Sequence, residues 1–494
     1  MAVYASATEP LLPKTAPLDQ VPVANTLVAH LESVGVGRSA DPTMHSCPPG
    51  MVLITGEAAF TPGPEGNPNL IVRLSPFGRE VRVMNTLFVG IDASMNTNEV
   101  LTMLPDGSEV DAFRVANDLP GADALAERLV KVLTAHECDH VVLGVEATGV
   151  YAWHLVQYLR QCPALQPYKP LVYTFNPKVV KGFKKAYPEL PKTDQVDAWV
   201  IADRLRFGRL PAPGGLEDRY EALRRLTRTR YHLVKDLVRA KQRFLNALFL
   251  KFSSFAQDQP AGKAFGATAL AFTVETECTE ALAATSIEEL TNRVTRYSRN
   301  RIADPAEVAA AVQKAARSSY RLPKAMADSV NLELATHLTL IRSLEQQITA
   351  LAGPIEQLVA TIPNTLGSVK GLGPVYVAGI LAEVGDIWRF PNHDAVAKYA
   401  GLAWSRHQSG KFEAEDTRLI RTGNRYLRYY LIEAACSLTV HDAEFKRYYQ
   451  RKKAEAKTHA HKRALALTAR KLVRLVDHLL RSNRLYNPLG APRR

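Results

Sequence analysis

The stretch that decides the fold runs from Thr86 to Asn176. TLFVGID (86–92), NEVLTML (98–104) and EVDAFRV (109–115) are rich in β-branched and apolar residues, and a Pro-Asp-Gly turn separates the last two. Three strands joined by short connections make a β-meander. GADALAERLVKVLTAH (121–136) then takes helical spacing, HVVLGVE (140–146) is a continuous apolar strand, GVYAWHLVQYLRQ (149–161) is helical and KPLVYTFN (169–176) is a strand. Two helices are expected after it, at about 177–187 and 194–208.

The order βββαβαβα is that of a ribonuclease H-like α/β domain, closed by the Pro-Ala-Pro-Gly-Gly run at 211–215. Beyond it a basic helix is expected over about 217–251, with Leu223, Leu226, Leu233, Leu237 and Phe244 on one stripe. A second, over about 327–360, carries Ile341, Leu344, Ile348, Leu351, Ile355 and Leu358 at a/d spacing. The pair reads as a helical coiled-coil stalk, its stripe serving either as intramolecular core or as a dimer seam. Residues 253–326 read as an irregular insert. After Pro363 the pattern is mostly helical and basic.

Four acids fall where phosphoryl-transfer chemistry needs them. Asp92 ends the first strand in FVGIDAS and Glu146 ends the fourth in LGVEATG, so neighbouring strands would project both from one sheet edge. Asp194 and Asp197, in KTDQVDA, share a helical face. Carboxylates without His or Cys suit Mg²⁺ or Mn²⁺, as two ions clamping the attacking and leaving oxygens. Each acid alone has an ordinary reading, as a turn former or helix cap. Asp203, further along the same helix, reads as a surface acid, and Lys192 and Thr193 as loop residues or phosphate contacts.

Charge points to a polyanion. The 494 residues carry a formal charge of +13, and residues 411–494 hold 20 Lys/Arg against 8 Asp/Glu. A solvated basic tail is the bland alternative. Cys47, Cys138, Cys162, Cys278 and Cys436 form no CxxC or paired spacing, against a zinc ribbon or disulfide framework and in keeping with a reducing cytoplasm. No leader pattern or membrane-length apolar run is present. Residues 1–83 hold 11 of the 30 prolines and no sustained period, and read as a disordered extension. Met84 stands at its end as an alternative start.

In VKGLGPVYVAGILAEVG (369–385), a Gly-Leu-Gly-Pro hairpin between helical segments is like the helix-hairpin-helix element. Lys370, Gly371 and Gly373 would there face phosphate through backbone N–H groups. A second constellation is YAGLAWSRHQSGKFEAEDTRLIRTGNRYLRYYLIEAA (399–435). Lys411, Arg418, Arg421, Asn424, Arg425 and Arg428 are spaced to hold nucleic-acid backbone near one helix start.

This segment, with GLGPVYVAGILAEVGDIWRFPNHDAVAKYAGL (371–402) before it, resembles the C-terminal domain of the DEDD transposases of insertion-sequence family one-ten, which include Piv-type DNA invertases. The resemblance spans about 86–480. It implies a RuvC-like N-terminal domain whose Asp, Glu, Asp, Asp set maps to Asp92, Glu146, Asp194 and Asp197. It also implies a nucleophilic serine before a glycine, which maps to Ser409; Ser405 is the second choice, and His407 a weak candidate base. Trp404 stands where the family commonly has proline and Arg421 where lysine is common.

The expectation is therefore a transposase or site-specific recombinase working on DNA as a dimer or tetramer, through a phosphoserine-DNA intermediate. By resemblance alone, a structured noncoding guide RNA joins it, in a bacterial, nucleoid-associated setting. The domains would be 1–83, 84–212 (RuvC-like), 213–362 (stalk with insert), 363–482 (C-terminal serine domain) and a basic tail, 483–494. The competing readings are a RuvC-like junction endonuclease, which has no use for Ser409, and a catalytically silent nucleic-acid-binding protein.

Overall fold

The structure is a computed structural model. It describes residues 71–73, 80–82 and 85–488, except 147–148, 188, 192, 209, 211–216, 277, 405–407, 410–411, 414–418 and 421. The chain forms two compact units, 1–85 and 86–494. In the first, β1 (Ile71–Arg73) and β2 (Glu80–Arg82) pair antiparallel, so part of the segment read as a disordered extension is a short ribbon. Its IVR and EVR triplets are β-formers too short to show a period.

The second unit begins with the expected meander, β3 (Thr86–Ala93), β4 (Thr97–Met103) and β5 (Glu109–Ala116). There follow α1 (Leu119–Ala135), β6 (His140–Glu146), α2 (Tyr151–Gln161), β7 (Leu171–Phe175), α3 (Pro177–Lys184) and α4 (Asp194–Arg206). The sheet order is β5-β4-β3-β6-β7, with β6 and β7 parallel to β3 and the meander antiparallel, which is the ribonuclease H-like arrangement.

Period-2 alternation assigns the two faces. Leu87, Val89 and Ile91 of β3 and Val141, Leu143 and Val145 of β6 pack with α1 and α2. Phe88 and Val142 turn the other way, toward α4. Asp92 and Glu146 belong to that second set by parity.

Next comes α5 (Asp218–Lys251), 34 residues long. Its first half contributes Leu223 to the C-terminal core and its second half contributes Phe244 and Leu248 to a different core. The second core corrects the reading of 253–326 as irregular. The segment folds into α6 (Ser253–Asp258), α7 (Ala267–Glu275), α8 (Thr279–Ala284), α9 (Ile287–Ser298) and α10 (Pro305–Ser318). α6 and α8 are only 6 residues long, but α9 buries Leu290, Val294 and Ser298 on one face and α10 Ala309, Val312 and Ala316, and Ser286 and Asp304 cap these two. Lys251 is buried among them, its ammonium donating to the carbonyl of Thr273.

The second long helix is interrupted. It is α11 (Lys324–Ala350) and then α12 (Ala352–Ala360), meeting at Leu351. Pro354 has no N–H to return to Ala350, and Gly353 before it lowers helix propensity, so the break falls there. α11 packs along α5, and Ile341 and Leu344 of the predicted stripe are buried within this chain. Ile355 joins the C-terminal core instead, with Leu351 and Leu358 against it.

That core is built by α13 (Pro374–Val384), α14 (His393–Tyr399), α15 (Arg425–His441), α16 (Ala443–Ala454) and α17 (Ala460–Ser482), with the start of α5. Between α14 and α15 lie four two-residue strands, β8 (Ala403–Trp404), β9 (Gln408–Ser409), β10 (Phe412–Glu413) and β11 (Leu419–Ile420). They pair as two antiparallel ribbons, β8 with β11 and β9 with β10. Residues 483–488 run back over this region, Tyr486 donating to Asp442 at 3.1 Å. Among the described residues no helix is long and apolar enough to cross a membrane.

Candidate functional site

Two glycines that the sequence reading passed over build the carboxylate site. Gly90 and Gly144 are register partners on β3 and β6, each two residues before an acid and on the same face as it. A Cβ on Gly90 would lie 2.0 Å from the carbonyl oxygen of Ala198 and 2.5 Å from the amide nitrogen of Ala202, both in α4. One on Gly144 would lie 2.9 Å from the Ile201 side chain, also in α4. The helix therefore lies directly on a floor without side chains, and only glycine permits that approach.

The consequence is placement of the α4 N-terminus beside the ends of β3 and β6. Thr193 caps the helix, its Oγ1 accepting from the amide of Val196 at 3.3 Å. Asp194 and Asp197 follow in the first turn. Asp92 is half-buried, and its carboxyl is pushed up to about 6 from the ordinary 3.8. Burial is the largest cause, followed by the negative charges of Glu146, Asp197, Asp194 and Glu99. The other three predicted acids are thus close enough to act on Asp92 electrostatically.

Glu99 is a fifth acid, directly opposite Asp92 on β4, and it is ion-paired with Arg114. Lys184 of α3 donates to Asp197 Oδ1 at 2.6 Å. The donor set fits a hard divalent cation: all are carboxylates, and their repulsion is what such an ion would relieve. In the present side-chain arrangement no three of the described His, Cys, Asp and Glu residues are spaced to hold a single ion, Lys184 being the counter-charge to Asp197.

Asp203 corrects an expectation. Read as a surface acid, it is 2% exposed, accepting from Tyr187 and from Arg206 Nε and Nη2 at 2.8 and 2.6 Å. It locks α4 to the loop after α3. An acid this deep must be paired, and Arg206 three residues on was the available signal.

Ser409 stands on β9, opposite Phe412 in the hairpin with β10. Gly410-Lys411 is the two-residue connection between them. Lys411, Arg418 and Arg421, with Ser405, His407 and Lys192, lie outside the described residues.

The base of this arm is well defined. Gly401 and Gly423 have φ of +70° and +137°, and a Cβ on Gly423 would come within 2.6 Å of the Tyr399 carbonyl oxygen and 2.9 Å of the Gly401 nitrogen. The two ends of the arm therefore cross backbone to backbone. Arg470 clamps the crossing by donating to the Leu402 carbonyl at 2.8 Å.

Asn424 and Arg428, expected to hold nucleic-acid backbone, make contacts within the chain. Asn424 caps α15: its Oδ1 accepts from the amides of Tyr426 and Leu427, and its Nδ2 donates to Glu383 at 2.7 Å and to the Tyr399 hydroxyl at 3.1 Å. Arg428 turns back to the Ala400 carbonyl at 3.3 Å. Arg425 is exposed, donating to Tyr426 at 2.8 Å, as a backbone-binding cation would be.

Glu383 is the main residue missed. It is wholly buried on α13 and receives both Arg228 Nε (2.7 Å) and Nη2 (2.8 Å) as well as Asn424. The long helix is thereby joined to the cap that follows the serine arm. A single acid in the apolar run VYVAGILAEV was the visible signal.

Lys370 is exposed. Gly371, at φ +99°, accepts from Ser437 at 2.7 Å and abuts His441, so this turn packs on the end of α15. A single 3-10 turn, Leu366–Ser368, precedes it, and Gly373 precedes α13 with open space around its Cβ position.

Comparison with known proteins matches two family models. One, described as a transposase of the DEDD IS110 type, covers residues 89–252; the other, described as "Transposase IS116/IS110/IS902 family", covers residues 364–450. Among relatives, the insertion element IS116 44.8 kDa protein of Streptomyces clavuligerus is 29% identical over 81% of this chain and 96% of its own length. The insertion element IS900 42 kDa protein of Mycobacterium paratuberculosis is 27% identical over 81% and 97%. Among solved structures, Thermus thermophilus RuvC is similar over 24% of this chain and 90% of its own, at 16% identity and a TM-score of 0.19.

Proposed function

Because this chain belongs to the IS110 family of DEDD transposases, we propose that it cuts and rejoins DNA strands with two chemical centres, a carboxylate site and a serine. Asp92, Glu146, Asp194 and Asp197 would hold Mg²⁺ or Mn²⁺, as two ions. Bound there, the metal supplies Lewis-acid stabilisation of the phosphate and of the leaving oxygen. The observation that carries this reading is the paired-glycine floor, whose purpose is otherwise hard to state: it draws a helix bearing two acids against two strand ends bearing two more, at an electrostatic cost felt by Asp92.

Ser409 Oγ would attack a DNA phosphorus. A serine–phosphate bond forms, the bond to the leaving deoxyribose oxygen breaks, and that oxygen takes a proton. One phosphodiester replaces another, so a second strand's hydroxyl can reverse the step and be joined without an external energy source. Placing the nucleophile at a two-residue hairpin whose base is crossed and clamped gives it reach from a fixed origin. Lys370, Gly371, Gly373, Lys411, Arg418, Arg421 and Arg425 would serve nucleic-acid backbone, which positions without specifying sequence. Family resemblance supports a structured noncoding RNA as the guide to donor and target. A dimer or tetramer in which serine and acids come from different subunits completes the proposal.

The test is a plasmid recombination assay with the gene and its native flanking DNA, comparing wild type with Asp92→Asn and Ser409→Ala. Both variants, folded, are expected to lose junction formation, and denaturing gels of wild type should trap a protein–DNA adduct that Ser409→Ala lacks. Recombination by Ser409→Ala would remove the serine step. Strand cutting without rejoining would point instead to a junction endonuclease.

A further inference from the structure

At the sheet edge where the strands of Asp92 and Glu146 end, but between α1 and α2 on the face opposite α4, lies a cleft of about 560 Å³, lined by Met95, Leu119, Val150, Tyr151, Trp153 and Arg225 among others. That volume is within the range of about 300–1,000 Å³ typical of small-ligand clefts. We propose that it takes one unstacked nucleobase of the strand held at the carboxylates. This rests on the reading above that those carboxylates act on DNA.

Position is the first argument. Met95 follows Asp92 by three residues, and Val150 and Tyr151 follow Glu146 by four and five. Two of the cleft's walls therefore leave directly from the ends of the strands that carry the acids. Asn117 ties the walls together, its Nδ2 donating to the carbonyls of Ser94 at 2.6 Å and Tyr151 at 3.2 Å. The cleft is built with the site, not apart from it.

Surface chemistry is the second. Leu119, Met95, Val150 and Tyr151 are 65, 62, 57 and 42% exposed, an apolar cluster left to water in a protein with ample core. Apolar side chains and aromatic rings suit the flat face of a base, which stacks with little regard to sequence.

Charge is the third, and it selects the occupant. Arg225, reaching in from α5, places its guanidinium 5.7 Å from the Trp153 ring centroid, with Glu221 of its own helix 3.6 Å away. Arg225 is the only Lys or Arg among the described residues lining the cleft, which Asp118 also lines; Arg224 and Arg228 of the same helix are turned to Glu383. An apolar protein segment would gain nothing from a cation at the mouth, whereas a nucleotide brings a π-face for the rings and a phosphate for the guanidinium. A base taken out of the stack also leaves its adjoining phosphate unshielded, where the acids need it.

The experiment uses the whole chain carrying Asp92→Asn, to prevent cutting. The probes are single-stranded oligonucleotides from the element end, with 2-aminopurine moved one position at a time. One position is expected to change emission at least about threefold on binding, as stacking on an aromatic face requires. Tyr151→Ala should abolish that response and Tyr151→Phe should keep it, while affinity for the unlabelled strand, set mainly by phosphates, falls less than about tenfold in either.

Absence of a responsive position, or an unchanged response in Tyr151→Ala, overturns the proposal. So does an unchanged response accompanied by a lower sedimenting mass in Tyr151→Ala, which would make the cluster a subunit contact. If recombination depends on Asp92 and no position responds, the cleft proposal alone fails. If a Tyr151-dependent response appears but recombination survives Asp92→Asn, the base site stands and the carboxylate reading fails.

Discussion

Replacing Asp92 by Asn should make the metal-free protein more stable while destroying its chemistry. Asp92 binds its proton more tightly folded than unfolded, with values of about 6 and 3.8. The stability it contributes is therefore full below the unfolded value and lost as pH rises through about 6. A rise of roughly two pH units corresponds to ~3 kcal/mol at 1.36 kcal/mol per unit. Partial exposure of the carboxyl discounts that to ~1.5 kcal/mol. Asn removes the charge and with it the repulsion from Glu146, Asp197, Asp194 and Glu99. At about 2–4 °C per kcal/mol for a domain of this size, the variant should melt roughly 3–6 °C above wild type at neutral pH, without divalent ions. Calorimetry across about pH 3 to 8 reads the difference, which should be full above about pH 6, shrink steadily between about pH 6 and 3.8, and vanish only below about 3.8, where the carboxyl is protonated in both states. Added Mg²⁺ should raise the wild-type transition and leave the variant less affected. A lower melting point for Asp92→Asn at neutral pH, or a difference independent of pH, would refute the account of four acids crowded on one point.

Other outcomes follow from the geometry. Gly90→Ala puts a methyl 2.0 Å from the Ala198 carbonyl oxygen and should lift α4, costing ~3 kcal/mol in urea unfolding and removing the pH dependence just described. Glu383→Gln leaves Arg228 without its buried counter-charge. It should cost ~3 kcal/mol, and loss of strand exchange should exceed loss of DNA binding in gel shift, because the serine arm is anchored through Asn424. Mixing Asp92→Asn with Ser409→Ala subunits should restore part of the recombination that each lacks, measured as junction product. Absence of rescue would place both centres in one subunit.

How far the chain was legible in its sequence varied with the kind of signal. The βββαβαβα domain was readable because its strands are buried runs with clear turn residues; Asp92 and Glu146 stood out because they end those strands, and Asp194 and Asp197 because they open a helix three residues apart. The glycines at 90 and 144 carried equal information, but a glycine in a strand says only that something comes close, not what. Residues 253–326 were opaque for a different reason. Leu290, Val294 and Ser298 of α9 and Ala309, Val312 and Ala316 of α10 do lie on single faces, a helical signal that was overlooked because the other helices here are as short as 6 residues and the core they share is with the distant α5 and α11. Asp203 and Glu383 were misjudged or missed because charge was taken as a sign of surface, when Arg206 three residues after Asp203 and the apolar run around Glu383 each signalled a buried, paired acid.

The arginine-rich segment after the serine arm raises the broader point. Arg/Asn spacing near a helix start was read as phosphate binding throughout, yet the structure divides the set. Arg425 faces outward, whereas Asn424 and Arg428 close the base of the arm onto α13 and α14. If Ser409 is the nucleophile proposed above, its aim depends on where the arm that carries it is rooted. The crossing of Gly401 and Gly423, the Arg470 clamp and the buried Glu383–Arg228 pair all act at that root. Because Arg228 belongs to the same long helix that sends Arg225 toward the cleft, one helix touches both the root of the arm and the mouth of the cleft. A change in the angle of that helix would move the serine root and the cleft mouth together.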